Sequence, residues 1–360
     1  MAEITLAELR DRIDRIDQEL LDLISARARC AQQVAEVKVR DGAEDFYRPE
    51  REAQVLRRIM EKNPGPLDQE EVARLFREIM SACLALEKPV TVAYLGPEGT
   101  FTQEAALKHF GHSAVTQPMA AIDEVFREVS SGAVRYGVVP VENSTEGVVN
   151  HTLDSFIDSS LKICGEVELR IHQNFLIGPN TREDKITRVY SHPQSLAQCR
   201  KWLDANFPNI ERVPVASNAE AAKMVRGEWN SAAIAGDMAV QLYGLTKLRE
   251  KIEDRPDNST RFLVIGRDLV PSSGDDKTSI IVTVKNEPGA LYSLLEPMRD
   301  HNIDMTRLET RPSPAGKWTY LFYIDFKGHY SDANVIAALE DLKPRISDYK
   351  LLGSYPRAVL

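Results

Sequence analysis

The chain carries 54 acidic against 45 basic residues in 360, a formal net charge of −9, and 43% of it is hydrophobic. That length holds about two or three domains with packed cores, and the acidic balance argues against general nucleic-acid binding. No segment is apolar and long enough to span a bilayer, the start MAEITLAELRDRID has no signal-like apolar run, and Cys30, Cys83, Cys164 and Cys199 are scattered without CxxC spacing. The expectation is a soluble, cytoplasmic protein with reduced thiols and neither a membrane nor a nucleic acid as partner.

Residues 5–40 read as one long helix. Leu6, Leu9, Ile13, Ile16, Leu20, Leu23, Cys30, Val34 and Val37 form a heptad-like seam that neither Gly nor Pro interrupts. Gly42 ends it. Pro49 suits the first turn of a second helix, and Asp68 with Glu71 marks a third, whose apolar face reads Val72, Leu75, Phe76, Ile79 and Cys83 before Pro89. This all-α segment, residues 1–89, is too thin to bury its seam alone, so a homodimer is expected.

Charges break the helical pattern. Arg27 sits in the seam, Lys38 returns to nearly the same face, Arg51 and Glu52 open the second helix, and Glu87 falls on the inward face of the third. A buried guanidinium needs an anionic partner. Arg10 precedes Arg27 by seventeen residues, about 25 Å along a straight helix. One small ligand meets both only when a second copy supplies Arg10.

The stretches LRDRIDRIDQELLDLISARARCAQQVAEVK, FYRPEREAQVL and LFREIMSACLALE resemble the all-helical chorismate mutase family. The resemblance implies that Arg27, with Arg10 of a partner chain, binds the two carboxylates of chorismate. Lys38 and Glu87 would contact the ether oxygen, and Arg51 and Glu52 would complete the pocket. A [3,3] rearrangement needs no nucleophile, only a dianion held in its reactive chair and charge stabilised on the ether oxygen. Many relatives carry Gln where Glu87 stands. A carboxyl donates a hydrogen bond only when protonated, so mutase activity is expected to fall at alkaline pH. Arg48, acidic in some relatives, receives no role.

From residue 90 the periodicity changes. Strand-like runs VTVAYLG, YGVVPV, KICGEVEL, FLIG, RVYS, ERVPV, SAAIAG and RFLVIG alternate with helical patterns, which predicts an α/β domain over 90–270 with a substantially parallel sheet. Gly-rich GPEGT before a helix suits an anion at the helix N-terminus, although Ser and Thr there can equally be caps. GPEGTFT, VVPVENSTEG, YSHPQSLAQC and NSTRFLVIG together resemble the prephenate dehydratase family. That resemblance implies two α/β lobes arranged like a periplasmic binding protein. Thr260 would be the key catalytic hydroxyl and Arg261 would bind a substrate carboxylate. Glu142, Asn143 and Ser144 would line the cleft, Ser191 and Gln198 would come from the second lobe, and Thr100 would belong to the Gly-rich loop. The reaction expels hydroxide and carbon dioxide together, driven by aromatisation. Thr260 either donates the proton or aligns a network that shares it with the cleft.

PSSGDD is a polar linker. Residues 277–360 then read βαββαβ, a ferredoxin-like α+β unit, with a third strand expected over WTYLFYIDF. GALYSLLEPMRDHNIDMTRLETRP resembles ACT domains, which bind amino acids at dimer interfaces. The implied allosteric residues are Gly289, Ala290, Leu291, Asn302, Ile303, Glu309 and Thr310, and the implied effector is phenylalanine, acting as a feedback inhibitor. Thr310 departs from the usual ESRP. A dimerisation module without ligand is the bland alternative.

The histidines form no HxxxH or HExxH set, and no dinucleotide fingerprint or P-loop is present. No metal or cofactor is therefore expected. Chorismate and prephenate are the implied substrates. Two other readings stand beside this one: a ligand-binding sensor without catalysis, against which the Thr260-Arg261-Phe262 stretch argues, and a dehydratase that prefers arogenate.

Overall fold

A computed structural model describes residues 4–42, 46–284, 287–312 and 320–359. Three helices come first: α1 (Leu6–Arg40), α2 (Pro49–Lys62) and α3 (Gln69–Glu87). Thr5 and Glu8 cap α1 reciprocally, Pro49 opens α2, and Asp68 caps α3 by accepting the Glu71 N–H at 2.7 Å. Helix α1 packs along α3 through a stripe of small side chains, Ser25, Ala28, Ala31 and Ala35, which are its half-buried positions together with Lys38. The predicted seam points away. It is exposed from 42% at Leu9 to 67% at Leu23.

The predicted apolar face of α3 is partly overturned. Leu75 and Phe76 are exposed, while Ala73, Arg77, Ser81 and Cys83 are buried. The cause is the next domain. Arg77 donates to the Lys108 carbonyl at 2.9 Å and pairs with Glu52 at 3.3 Å, and Ser81 sits where a Cβ on Gly111 would clash at 2.4 Å.

The middle domain has two lobes. The first holds β1 (Thr91–Leu95), α4 (Phe101–Phe110), β2 (Val115–Met119), α5 (Ile122–Ser131), β3 (Tyr136–Asn143), β4 (Gly147–Val148), α6 (Asn150–Asp158) and β5 (Lys162–Arg170). The second holds β6 (Asn174–Ile177), β7 (Arg188–Ser191), α7 (Pro193–Gln198), α8 (Arg200–Asn206), β8 (Glu211–Pro214), α9 (Asn218–Val225), β9 (Ser231–Ala235), α10 (Asp237–Tyr243) and β10 (Thr246–Arg249). Strand β11 (Ser259–Gly266) then returns to the first lobe.

The sheet orders are β2-β1-β3-β11-β5 and β10-β6-β9-β7-β8. Both sheets are mixed rather than substantially parallel. The β2-β1-β3 and β9-β7-β8 pairs are parallel, whereas β11 lies antiparallel to both β3 and β5. The chain leaves the first lobe after β5 and comes back as β11. The returning strand therefore enters between strands that run the other way. The two crossing segments are tied by Ile171 N–H to Asn258 O at 2.9 Å and Ile252 N–H to Gln173 O at 2.8 Å.

The last domain is β12 (Asp276–Val284), α11 (Ala290–Asp300), β13 (Met305–Pro312), β14 (Tyr320–Lys327), α12 (Ala333–Leu342) and β15 (Asp348–Pro356), with sheet order β13-β14-β12-β15. The first two residues of the predicted WTYLFYIDF strand, 318 and 319, lie outside the described residues. One sheet face carries the two helices. The other shares a core with the first lobe, where Ile281, Leu321, Tyr323, Leu352 and Tyr355 pack with Leu153, Phe156, Ile163, Leu263 and Ile265. The linker is folded rather than loose. Buried Asp276 accepts Ser273 Oγ at 2.6 Å and Ser272 Oγ at 2.8 Å, and Arg57 of α2 reaches Ser273 Oγ at 3.0 Å.

Candidate active sites and effector domain

Strand β11 runs to the cleft between the two lobes, and its first residues form the cleft floor. Thr260 pairs across the ladder with Asn143 of β3, and Asn143 Nδ2 donates to Thr260 Oγ1 at 2.8 Å. The same amide donates to Asn258 Oδ1 at 3.1 Å, and Asn143 Oδ1 is held by the N–H groups of Thr145 and Glu146. Asn258 Nδ2 passes the chain of bonds to Gln198 Oε1 of the second lobe at 3.2 Å, and Gln198 Nε2 reaches Thr145 Oγ1 at 3.3 Å. On the far wall Ser195 Oγ accepts from Asn218 Nδ2 at 2.8 Å and from Gln173 Nε2 at 3.1 Å.

The cleft has a volume of about 260 Å³, and among the described residues its walls hold no Lys or Arg. Instead, the N-cap residues of four helices border it: Thr100 before α4, His192 before α7, Ser217 before α9 and Gly236 before α10. Unpaired N–H groups and the helix dipole make such ends attractive to anions. Gly236 packs so closely on Phe101 that a Cβ there would strike its ring at 2.5 Å.

Thr100, Asn143, Gln198 and Thr260 thus line the cleft as expected on sequence grounds. Ser144 sits just behind it, bonding Asn258 Oδ1 at 3.3 Å. Ser191 is fully buried beneath it, its Oγ 2.8 Å from both Asn218 Oδ1 and the Ile234 carbonyl oxygen, with one proton to give. Arg261 and Glu142 are corrections. Successive strand residues face opposite sides, so Arg261 points away from Thr260. It is engaged by Glu166 at 2.9 Å, Asp325 at 2.6 Å and Tyr355 Oη at 3.0 Å. Glu142 pairs with Arg307 at 3.2 Å on that same far side. Neither reaches the cleft. Gln173, Asn218, Ser195, His192 and Asn258 were missed as lining residues. Of these, only the N-cap signature of SNAE and the Asn heading NSTRF carried a readable signal.

In the helical domain Lys38 and Glu87 do meet. Lys38 Nζ lies 3.2 Å from Glu87 Oε2 and donates to the Phe46 carbonyl at 2.8 Å. Arg10, Arg27 and Arg51 stand exposed, so a single chain does not close a cationic pocket. Glu52 is turned toward the interface with the α/β domain, where Arg77 holds it, and burial pushes its carboxyl up. It does not face the Lys38–Glu87 pair, another departure from expectation. Nearby, Tyr47 Oη lies 3.2 Å from His109 Nε2. Burial, with the Arg77 charge, holds that imidazole neutral down to about 3.

Comparison with known proteins agrees with this division. The family profiles that match are chorismate mutase type II over residues 9–88, prephenate dehydratase over 92–269 and the ACT domain over 278–344. The chain is 67% identical to the bifunctional chorismate mutase/prephenate dehydratase of Stutzerimonas stutzeri, over 99% of this chain and 98% of that one. It is 45% identical to the enzyme of the same name from Aquifex aeolicus, over 99% of each. The chain belongs to the bifunctional chorismate mutase/prephenate dehydratase family. Among solved structures, a prephenate dehydratase from Arthrobacter aurescens in complex with L-Phe aligns with TM-score 0.69 and 34% identity, covering 75% of this chain and 90% of that one.

In the ACT domain of this bifunctional enzyme, Gly289 has φ +84 and caps the start of α11, and Asn302 has φ +55 just past its end. Ala290 lies beside a concavity of about 320 Å³ that Ser293, Arg345 and Ser347 also line. Leu291 is exposed, Ile303 is buried with its N–H on the Met298 carbonyl at 2.7 Å, and Glu309 and Thr310 lie on β13. Gly289 and Asn302 therefore sit beyond opposite ends of one helix, whose eleven residues span about 16 Å. Among the described residues no group of three His, Cys, Asp or Glu side chains could hold a metal, and no helix is long and apolar enough to cross a membrane. All four cysteines are free, with Cys83, Cys164 and Cys199 buried.

Proposed function

We propose that the cleft around Thr260 converts prephenate to phenylpyruvate, and that the pocket around Lys38 rearranges chorismate to prephenate. The observation that carries the first reading is the Asn143–Thr260 bond facing a walled volume of uncharged donors. Asn143 donates to Oγ1, which leaves the Thr260 proton free to point at the ring hydroxyl of the substrate. The hydroxyl departs as water once it takes that proton, the carboxylate bond breaks to release carbon dioxide, and its electron pair completes the aromatic ring. Asn143 stabilises the charge left on Oγ1, which takes a proton back from solvent water before the next turnover. The substrate carboxylates are received by the N-terminal amides of α4 and α9, the role the sequence had given to Arg261.

For the mutase step, Lys38 and Glu87 face the ether oxygen, while Arg27 and Arg10 of a second copy take the carboxylates. The outward seam of α1 is the surface on which the second copy lies, and the separation of Gly289 from Asn302 calls for two copies at the effector site as well. Phenylalanine binds there and lowers dehydratase activity, and the enzyme works in the cytoplasm. The test is direct. Purified chain is given chorismate, and prephenate and phenylpyruvate are followed with and without phenylalanine. Thr260→Ala is expected to stop the second product alone, and sedimentation is expected to give a dimer. Absence of phenylpyruvate from the unmodified chain defeats the reading.

A further inference from the structure

The far side of the catalytic strands is charged and held by the effector domain. Next to the Asn143–Thr260 pair in the ladder lies the Glu142–Arg261 pair. Both of its side chains reach into the ACT sheet. Glu142 meets Arg307 of β13 at 3.2 Å, and Arg261 meets Asp325 of β14 at 2.6 Å and Tyr355 of β15 at 3.0 Å. The ring closes within the ACT sheet, since Ser279 Oγ bonds Asp325 at 2.6 Å and Tyr355 Oη at 2.8 Å. Asp325, Ser279 and Tyr355 are all buried. Lys277 joins through Glu166 at 2.7 Å.

We propose that Glu142 and Arg261 are positioning residues. The ACT sheet grips them through Arg307, Asp325 and Tyr355 and thereby sets the geometry of Asn143 and Thr260, one ladder step away. Two features favour this over simple domain adhesion. First, Arg261 and Asp325 are largely buried, so a charge left unpaired there is costly and the two hold their geometry, whereas the Glu142 side chain is 39% exposed and is fixed only through Arg307. Second, Arg307 is poised between alternatives. Its side chain is only 10% exposed, among the described residues its Nε and Nη2 are both buried without a hydrogen-bond partner, so Glu142 is held by charge alone, and its charge also acts on Asp325. A small shift of β13 therefore changes which carboxylate it holds, and β13 is the strand that carries Glu309 and Thr310. The effect on the cleft needs no motion of the lobes as whole bodies.

The inference rests on the dehydratase reading above but not on phenylalanine being the effector. The test uses the full-length chain and three readouts: dehydratase kcat and KM, mutase rate, and the phenylalanine concentration giving half inhibition. Arg307→Glu, which sets two carboxylates against each other, is expected to lower dehydratase kcat at least tenfold with KM and mutase rate unchanged. Arg307→Glu combined with Glu142→Arg restores the pair with reversed polarity and is expected to recover most of kcat. Arg307→Met removes the grip without repulsion. It is expected to lower dehydratase kcat several-fold, less than Arg307→Glu does, and to raise the half-inhibiting phenylalanine concentration by a factor within the usual range for coupled sites, about 5–150-fold, while phenylalanine still binds in equilibrium dialysis. Unchanged kcat in Arg307→Glu overturns the proposal. So does a joint fall of mutase and dehydratase rates that the double variant fails to reverse, because that marks a purely structural contact. If the unmodified chain neither binds nor responds to phenylalanine, the effector assignment fails while the kcat arms still decide this one.

Discussion

Replacing Thr260 by Val removes one oxygen and keeps the shape of a β-branched strand residue. In the folded chain the loss is modest. Asn143 Nδ2 keeps its second bond, to Asn258 Oδ1 at 3.1 Å, and only the 2.8 Å bond to Oγ1 disappears. A single such bond is worth about 1 kcal/mol, so Tm is expected to move by only a few degrees. The catalysed step loses far more, because the hydroxyl touches charge that develops only as the ring hydroxyl leaves. Removing one preorganised donor costs about 10²–10³ in kcat. The assay follows phenylpyruvate from added prephenate, with mutase turnover of chorismate as an internal control on folding, and Thr260→Ser is expected to retain most activity because it keeps the hydroxyl. A Thr260→Val enzyme within tenfold of the unmodified rate would refute the assignment, as would a mutase rate that falls in parallel.

Lys38→Met is expected to lower the mutase rate by about 10²–10³-fold while leaving turnover of added prephenate intact, measured as the two separate rates. Gly353→Ala places a Cβ 2.3 Å from the Ile163 carbonyl oxygen on β5, so β15 must lift from the first lobe. A loss of about 1–3 kcal/mol in urea unfolding is expected. Glu104 lies beside a cavity that α3 shares with α4, and burial, then the Asp237 charge, raises its carboxyl from 4.5 to about 7. Between those values the folded chain holds a proton that the unfolded chain has released, so stability declines as pH rises from about 4.5 to 7 and levels off above. Glu104→Gln is expected to remove roughly 2 kcal/mol of that decline, read from urea midpoints at pH 5 and 8.

Much of this was legible in the chain itself. The long α1, Pro49 at the start of α2 and the Asp68 cap depend on local chemistry: a 3.6-residue period, a fixed proline φ and a short side chain within reach of its own backbone. Thr260, Asn143, Gln198 and Thr100 were readable through the resemblance of their motifs to the prephenate dehydratase family, and Thr100 also serves as the N-cap of α4. Their convergence on one cleft, through Asn258, belongs to the return of β11 between β3 and β5, a long-range pairing that no local window encodes.

What tertiary structure decided was direction. Family resemblance gave Arg261 a substrate carboxylate, yet strand alternation and the docked ACT sheet commit it to Asp325 and Tyr355. Glu52 looked like part of a mutase pocket, but Arg77, buried where α3 meets the α/β domain, claims it. The seam of α1 was legible as apolar, but which side of the helix packs within the chain was not. Small residues let helices approach closely, so Ser25, Ala28, Ala31 and Ala35 line the contact with α3 while the larger Leu and Ile side chains remain outside. Periodicity identifies a face. What that face meets depends on partners distant in the chain, because burial energy is gained only where another surface arrives to exclude water.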